Sequence, residues 1–267
     1  MNSIILIYIL LIYQLLLLSC VNSSETKQKL KDKNSPIIIE EKSITDTSIL
    51  VLQRVPKKEY ELAKTNIVKL RSVLGKKYSK ISDKNRQDQF LDSTMLVFTD
   101  YLITNIVPHW YETKWSFEGH SAIPNEGEIA CGYFVSTTLR DMGLNLNRYN
   151  LAQQGPEEEV ASISIDKKSM ITVKNHQLDS IFTILKTKYN PALYFIGLDF
   201  HVGYLYLKDN QSYFIHSNYI DGHVMIENTI NSKAFRSEKY FISNITGNRL
   251  LAKKWLINDK IKIILTK

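Results

Sequence analysis

The spacing of apolar residues changes period about two-thirds of the way along the chain. Between Pro56 and Lys77, Tyr60, Leu62, Ala63, Ile67, Val68, Leu70, Val73 and Leu74 recur with the period of an amphipathic helix. A second stripe, Leu91, Met95, Phe98, Leu102 and Ile106, predicts a helix that Ser82-Asp83 can cap and that stops near Pro108. A third helix is predicted over Cys131–Met142, where Phe134, Val135, Leu139 and Met142 share one stripe and Gly143 supplies a C-terminal stop. A polar loop over 144–156, a short helix at 157–162, a strand at 170–173 and a helix over 177–188 follow. Two-fold alternation then predicts strands at Ala192–Leu198, His201–Leu207, Ser212–His216 and His223–Glu227, with a hairpin turn at Lys208-Asp209-Asn210-Gln211. The chain closes with a strand at Tyr240–Ile245, a short helix at 247–255 and a strand at 260–265. Helices first and an antiparallel meander afterwards make an α+β fold.

The two ends of the helical half differ in character. Residues 4–18 are almost wholly apolar and are followed by Ser19, Cys20 and a polar run, which is the length of a signal-peptide core and short for a membrane span. Leu17-Leu18-Ser19-Cys20 resembles a bacterial lipobox, in which Cys20 carries the lipid and begins the mature chain, although Met1-Asn2-Ser3 has no basic residue. An ordinary signal peptide or an uncleaved anchor is the alternative. Each of these readings places the domain outside the cytoplasm, in the cell envelope. The expected organisation is a leader over 1–19, a tether over 20–48, a helical subdomain over 49–108 and a catalytic domain over 109–267. Within the tether, Pro36–Ile39 reads as an added strand or docking segment, and Ile49–Leu52 as a first strand or a helix start.

Composition narrows the function classes. In 267 residues, 44% hydrophobic and 23% charged is ordinary globular usage. The net charge of +7, from 34 basic against 27 acidic residues, is spread along the chain and forms no nucleic-acid stripe. Two cysteines cannot build a zinc framework, and no phosphate-cradling glycine motif occurs, so no cofactor is expected. If Cys20 is lipidated, Cys131 has no disulfide partner, and an unpaired thiol in an exported protein points to reactivity. A Cys20–Cys131 disulfide is the structural alternative.

Cys131 falls at the first turn of its predicted helix, where unpaired N–H groups and the helix dipole favour thiolate. Packing of the helix start is the other reason to place a small residue there. A nucleophilic thiol needs a base and a group to orient that base. His201 begins one predicted strand and His216 ends its hairpin partner, so the two can be cross-strand neighbours. His201 is then expected to face Cys131 across the sheet–helix interface, with His216 as orienter and Asn218 as a competitor for that role. A satisfied histidine pair in a hairpin is the bland alternative. His109, His120 and His176 read as structural, capping or surface residues, and the aromatic-dense segment His109–His120 as a lining of core or groove.

Three short stretches share a family likeness. Ala130-Cys131-Gly132-Tyr133-Phe134-Val135 resembles the Asp-Cys-Ser-Gly-Phe-Val motif of the NlpC-type cell-wall peptidases, and His201-Val202-Gly203-Tyr204-Leu205-Tyr206-Leu207 resembles their His-Val-Gly-Ile-Tyr-Leu-Gly strand. Tyr213-Phe214-Ile215-His216 resembles the Phe-Ile-His that follows, where the family's third catalytic residue lies. Trp115–Gly119 sits in the place of the family's Tyr-x-x-Gly-Gly, and Asn147-Arg148 with Gln153 echoes its Pro-Arg…Gln loop. Ala130 stands where the family has Asp, Gly132-Tyr133 where it has Ser-Gly, Trp115 where it has Tyr and Glu118 where it has the first Gly. The resemblance, over residues 110–220, implies a papain-like fold and cleavage of amide bonds in peptidoglycan stem peptides, often those joining D-glutamate to a diamino acid.

The resulting expectation is a secreted or lipid-anchored cysteine hydrolase, held at the membrane through Cys20. Cys131 attacks the carbonyl, His201 serves as base and then acid, and His216 fixes the tautomer of His201. The Cys131 N–H is a candidate oxyanion donor. Trp115, Tyr133, Arg148 and Asn218 are the candidate substrate-binding residues. A non-catalytic papain-like module that binds cell-wall peptide or a protein partner, and an acyltransferase on the same scaffold, are the alternatives.

Overall fold

A computed structural model describes residues 57–174, 178–185 and 189–266. The leader, the tether with Cys20, Ile49–Leu52, His176 and the end of the helix expected over 177–188 lie outside the described residues. Helix α1 (Lys57–Tyr78) and helix α2 (Lys84–Tyr101) follow the predicted stripes, and Asp83 caps α2 by accepting from the Arg86 N–H at 2.8 Å. Beyond α2 the chain widens into a π turn over Leu102–Ile106 and tightens into a 3-10 turn over Val107–Trp110, where Pro108 sits. The stretch Lys84–Trp110 is long and apolar enough to cross a membrane, but its stripe Leu91, Met95, Phe98, Leu102 and Ile106 is buried in the protein core.

Helix α3 (Cys131–Asp141) ends at Gly143, whose positive φ of 85° lets the chain reverse while Leu144 donates back to Leu139. The segment expected as a loop holds a short helix, α4 (Arg148–Ala152), nucleated by Asn147, whose side chain accepts from the N–H groups of Tyr149 and Asn150. Helix α5 (Pro156–Ser164) opens on proline with three glutamates in its first turn. Strand β1 (Ile171–Lys174), helix α6 (Leu178–Ile184), strands β2 (Ala192–Gly197), β3 (Val202–Lys208), β4 (Gln211–Asn218), β5 (His223–Asn228) and β6 (Lys239–Asn244), and helix α7 (Arg249–Leu256) complete the fold. The six strands form one sheet in the order β1-β6-β2-β3-β4-β5, with every pair antiparallel. The architecture is α+β.

Two expectations are corrected. Residues 260–265 form no strand: Ile261 donates to the Asn145 carbonyl, Ile264 to Ser162 Oγ and Thr266 to Gln154 Oε1, so side chains and loops, not a ladder, satisfy this segment. Nor do the first helices form a subdomain of their own. The described residues belong to one compact unit, and Tyr60, Ile67, Leu91 and Phe98 share a core with Phe134 and Leu139 of α3 and with Tyr204 of β3. A buried polar chain crosses that core. Trp110 Nε1 donates to Tyr60 Oη at 2.9 Å, and Tyr60 donates to Asp141 Oδ2 at 2.6 Å. Across the outer side, Arg249 of α7 holds Asp88 and Asp92 of α2.

The reverse face of the sheet carries a second core, with Leu205, Phe214, Tyr194, Ile196 and Ile242 packed against Ile181, Phe235 and Tyr240. Alternation along β3 and β4 therefore sends Tyr204 and Ile215 toward α3 and Leu205 and Phe214 away from it.

Substituting Tyr60→Phe leaves a buried indole N–H and a buried carboxylate oxygen without their partner. Urea titration is expected to show a loss of about 1–3 kcal/mol with an unchanged slope.

Candidate active site

The site assembles where the start of α3 meets the β2–β3 turn. Gly197 pairs with Val202 across β2 and β3, and Leu198 donates to the His201 carbonyl at 2.7 Å, which closes a tight reversal over Asp199-Phe200. Asp199 anchors the turn by accepting from Ser237 Oγ and the Glu238 N–H at 2.7 and 2.8 Å. The reversal ejects Phe200 into solvent and turns His201 inward. A Cβ on Gly197 would stand 2.7 Å from the Pro156 carbonyl, so the glycine lets the start of α5 close on the sheet.

His201 and His216 meet directly. His201 Nε2 and His216 Nδ1 are 2.7 Å apart, and His216 Nε2 lies 2.9 Å from Glu227 Oε1, which also accepts from Ser232 Oγ at 2.6 Å. The network assigns the tautomers. Glu227 is an acceptor, so His216 donates from Nε2 and accepts at Nδ1. His201 therefore donates from Nε2, and its Nδ1 is left as a base. The expected cross-strand relation is diagonal. The register continues the Tyr204↔Ile215 pair, which sets Gly203 opposite His216, and a Cβ on Gly203 would lie 2.9 Å from His216 Cβ. The missing side chain gives the imidazole its room.

The rings also correct the expected route between thiol and imidazole. His216 stacks on Phe214 with centroids 4.1 Å apart, and His201 sets its edge on the same phenyl at 5.8 Å. Phe214 belongs to the core on the far side of the sheet from α3. The imidazole pair thus sits on that far face, and His201 shares a cleft with Cys131 instead of facing it through the sheet–helix interface.

Cys131 and His201 both line one cleft of about 650 Å³, together with Trp115, Tyr133, Gln153 and Glu159. Its rim is aromatic, with Phe117 84% and Phe200 96% exposed. Trp115 is carried there because its N–H donates to Gly222 and Glu112 donates to Val224, which ties this segment along the edge of β5. Cys131 is half-buried, and no hydrogen bond joins it to His201 among the described residues. Burial pushes the thiol up to about 11, and the Glu159 charge adds to the rise. The backbone N–H groups of Val202, Gly132 and Cys131 pull the other way without overcoming it. The expectation that the helix start favours thiolate is therefore met only as the smaller of two opposed effects. Burial, with a smaller contribution from the His216 charge, holds His201 well below the ordinary histidine value, and burial outweighs Glu227 in lowering His216. Burial raises the Glu227 carboxyl, but the hydrogen bonds from His216 and Ser232 bring it below the usual range.

Two candidate substrate contacts are placed in the scaffold instead. Arg148 is buried and donates to the carbonyls of Ser121 and His120, to Thr137 Oγ1 and to Tyr149 Oη, which fixes the loop before α3 against α4. Asn218 folds into the β4–β5 turn, with Oδ1 accepting from Ile220 and Asp221 and Nδ2 donating to Asp221 Oδ2, and among the described residues it makes no hydrogen bond to His201. Of the two candidates for orienting His201, the structure brings only His216 to it. His109 packs on Tyr60 with ring centroids 5.0 Å apart, and His120 is exposed, with Nδ1 2.8 Å from the Glu118 carbonyl. Among the described residues, no group of three or more His, Cys, Asp or Glu side chains is placed to hold a metal ion.

Sequence reasoning missed Glu227 and Glu159. Two-fold alternation puts Glu227 on the His216 face of the sheet, but the β4–β5 register that brings them together depends on a turn whose length alternation does not set. Glu159 is the last of three consecutive glutamates, and only its burial separates it from its neighbours. Compared with known proteins, the chain matches no family model, no curated protein and no solved structure.

Two outcomes test the imidazole network. In 15N spectra at pH 8, both rings are expected as the Nε2–H tautomer; Glu227→Ala mixes the tautomers of His216, whereas Glu227→Gln, which keeps an acceptor oxygen, retains them. Both histidines are held low in the folded protein, so below about 6.5 the unfolded chain binds protons that the folded chain does not. Stability should therefore fall as pH drops through that value, and the fall should be shallower in His201→Gln.

Proposed function

We propose that this protein is a cysteine hydrolase that cleaves an amide bond. The observation that carries the reading is the convergence, in one cleft, of a thiol at a helix start with an imidazole whose free Nδ1 is set by a His–Glu relay. Peptidoglycan stem peptides are the proposed substrate class, on the resemblance of the segments around Cys131, His201 and His216 to NlpC-type peptidases. The proposed setting is the cell envelope, reached by the leader and held through a lipid on Cys20.

The electrostatics favour a neutral resting pair over a thiolate–imidazolium pair. His201 Nδ1 takes the proton from Sγ as sulfur bonds to the carbonyl carbon. The tetrahedral oxyanion is received by N–H groups at the start of α3. On its collapse the C–N bond breaks and His201 returns the proton to the leaving amine. Water then attacks the thioester, with the same nitrogen as its base. His216 stabilises the imidazolium that forms in each step, and Glu227 in turn holds His216. Trp115 and Tyr133 serve as walls of the groove.

A non-catalytic binding module is the second reading, favoured by the absence of a Cys131–His201 hydrogen bond and by a thiol lifted to about 11. Catalytic hydrogen bonds are often long before substrate binds, which keeps the first reading ahead. An acyltransferase would share every step except the acceptor in the second half.

Iodoacetamide alkylation at pH 7 separates the two. His201→Ala is expected to slow modification of Cys131 by about a hundred-fold, the contribution of a positioned base, with the fold intact by circular dichroism. An unchanged rate would sink the hydrolase. Turnover of peptidoglycan fragments should be lost in Cys131→Ala and in His201→Ala.

A further inference from the structure

Glu159 is a buried acid that the catalytic scheme does not use. Its residue is 3% exposed, its Oε2 has no hydrogen-bond partner, and it lines the same cleft as Cys131 and His201. A buried carboxyl serving the scaffold is normally paired or hydrogen-bonded, because stripping water from it without compensation is costly. This one is held close against its surroundings without such compensation. A Cβ on Gly132 would lie 2.9 Å from Glu159 Oε1 and 3.0 Å from the Ala152 carbonyl, so α3, α4 and α5 meet around it with glycine making the space. Its titratable neighbours are Cys131 from α3 and Tyr204 from β3, neither of them cationic. Among the described residues no lysine or arginine lines the cleft, and burial alone keeps the carboxyl far above the usual range.

We infer that Glu159 is the recognition group for a basic nitrogen of the ligand, an ammonium carried into the cleft between aromatic walls. The inference rests on the proposed cysteine site and specifies what that site accepts. Trp115, Tyr133, Tyr219, Phe117 and Phe200 supply the remaining surface, and aromatic faces also attract a cation. On binding, the carboxyl proton leaves to solvent and the carboxylate pairs with the ammonium. The protein's overall field works against cations, because the chain carries a net charge of +7, so a preference for ammonium must come from a local group.

The experiment uses four thiol-directed probes: the chloroacetamides of ethylenediamine and propanediamine, and their neutral alkylamine isosteres. Sulfur displaces chloride from each and the thiol proton passes to His201 or water. The ratio of ammonium to neutral alkylation rates at Cys131 is expected to reach about ten-fold or more for at least one spacer and to fall to about one in Glu159→Gln. Glu159→Met serves if the amide variant does not fold. It is also expected to raise the melting temperature, because it removes a buried unpaired acid, whereas a carboxyl that merely supports the fold would lower it when replaced. A ratio near one in the wild type at both spacers, or a ratio that survives loss of the carboxyl, overturns the inference and leaves the carboxyl binding only water or a neutral amide. His201→Ala should slow all four probes alike. If it slows none, the hydrolase reading fails, while the ratio still decides the role of Glu159.

Discussion

Two imidazoles share a hydrogen bond of 2.7 Å at the end of a sheet, and the inner ring can be buried only if its second nitrogen is also satisfied. His216 is wholly buried, and its second nitrogen must find an acceptor inside the protein; Glu227 provides it and is itself held by Ser232. That requirement ties distant parts of the chain together. The β3–β4 hairpin must be in the register that puts Gly203 opposite His216, β5 must bring Glu227 within reach, and the loop after β5 must return Ser232. Phe214 fills the space beneath both rings. His201 is left with one free nitrogen, which points the chemistry of the string toward the cleft.

The thiol sits under opposed influences of unequal size. Three backbone N–H groups favour its anion, as a helix start should, but low polarity around the sulfur and the neighbouring Glu159 favour the neutral thiol more. The resting state is therefore two neutral partners in a shared cleft. This accounts for why a free cysteine can be tolerated in the site without being indiscriminately reactive.

Glycines mark places where elements come close, and three of these approaches bear on the site. Gly132 admits Glu159 beside α3, Gly197 admits the start of α5 against β2, and Gly203 admits His216. The cleft follows from these three approaches together with the aromatic segment hung along β5 through Trp115 and Gly222.

The helices and most strands were legible because periodicity is a local property: the stripe from Leu91 to Ile106, the switch to alternation at Ala192 and the stop at Gly143 are each written within a few turns of chain. The placing of Cys131 at a helix start, and of His201 and His216 at the ends of a hairpin, followed from the same local signals. What tertiary structure alone decided are matters of partner choice. Residues 260–265 have the pattern of a strand but meet no strand to pair with, and Asn147 nucleates a helix within a stretch that looked like polar loop. Arg148 and Asn218 have the chemistry of ligand-binding residues, yet carbonyls and a turn consume their hydrogen bonds. Glu227 and Glu159 look like solvated acids in sequence, and only the neighbours that folding gives them make one a support for His216 and leave the other unpaired at the base of the cleft. Local pattern fixes which face of an element is apolar; burial and hydrogen-bond completion, which act between elements far apart in the chain, decide what each polar residue is for.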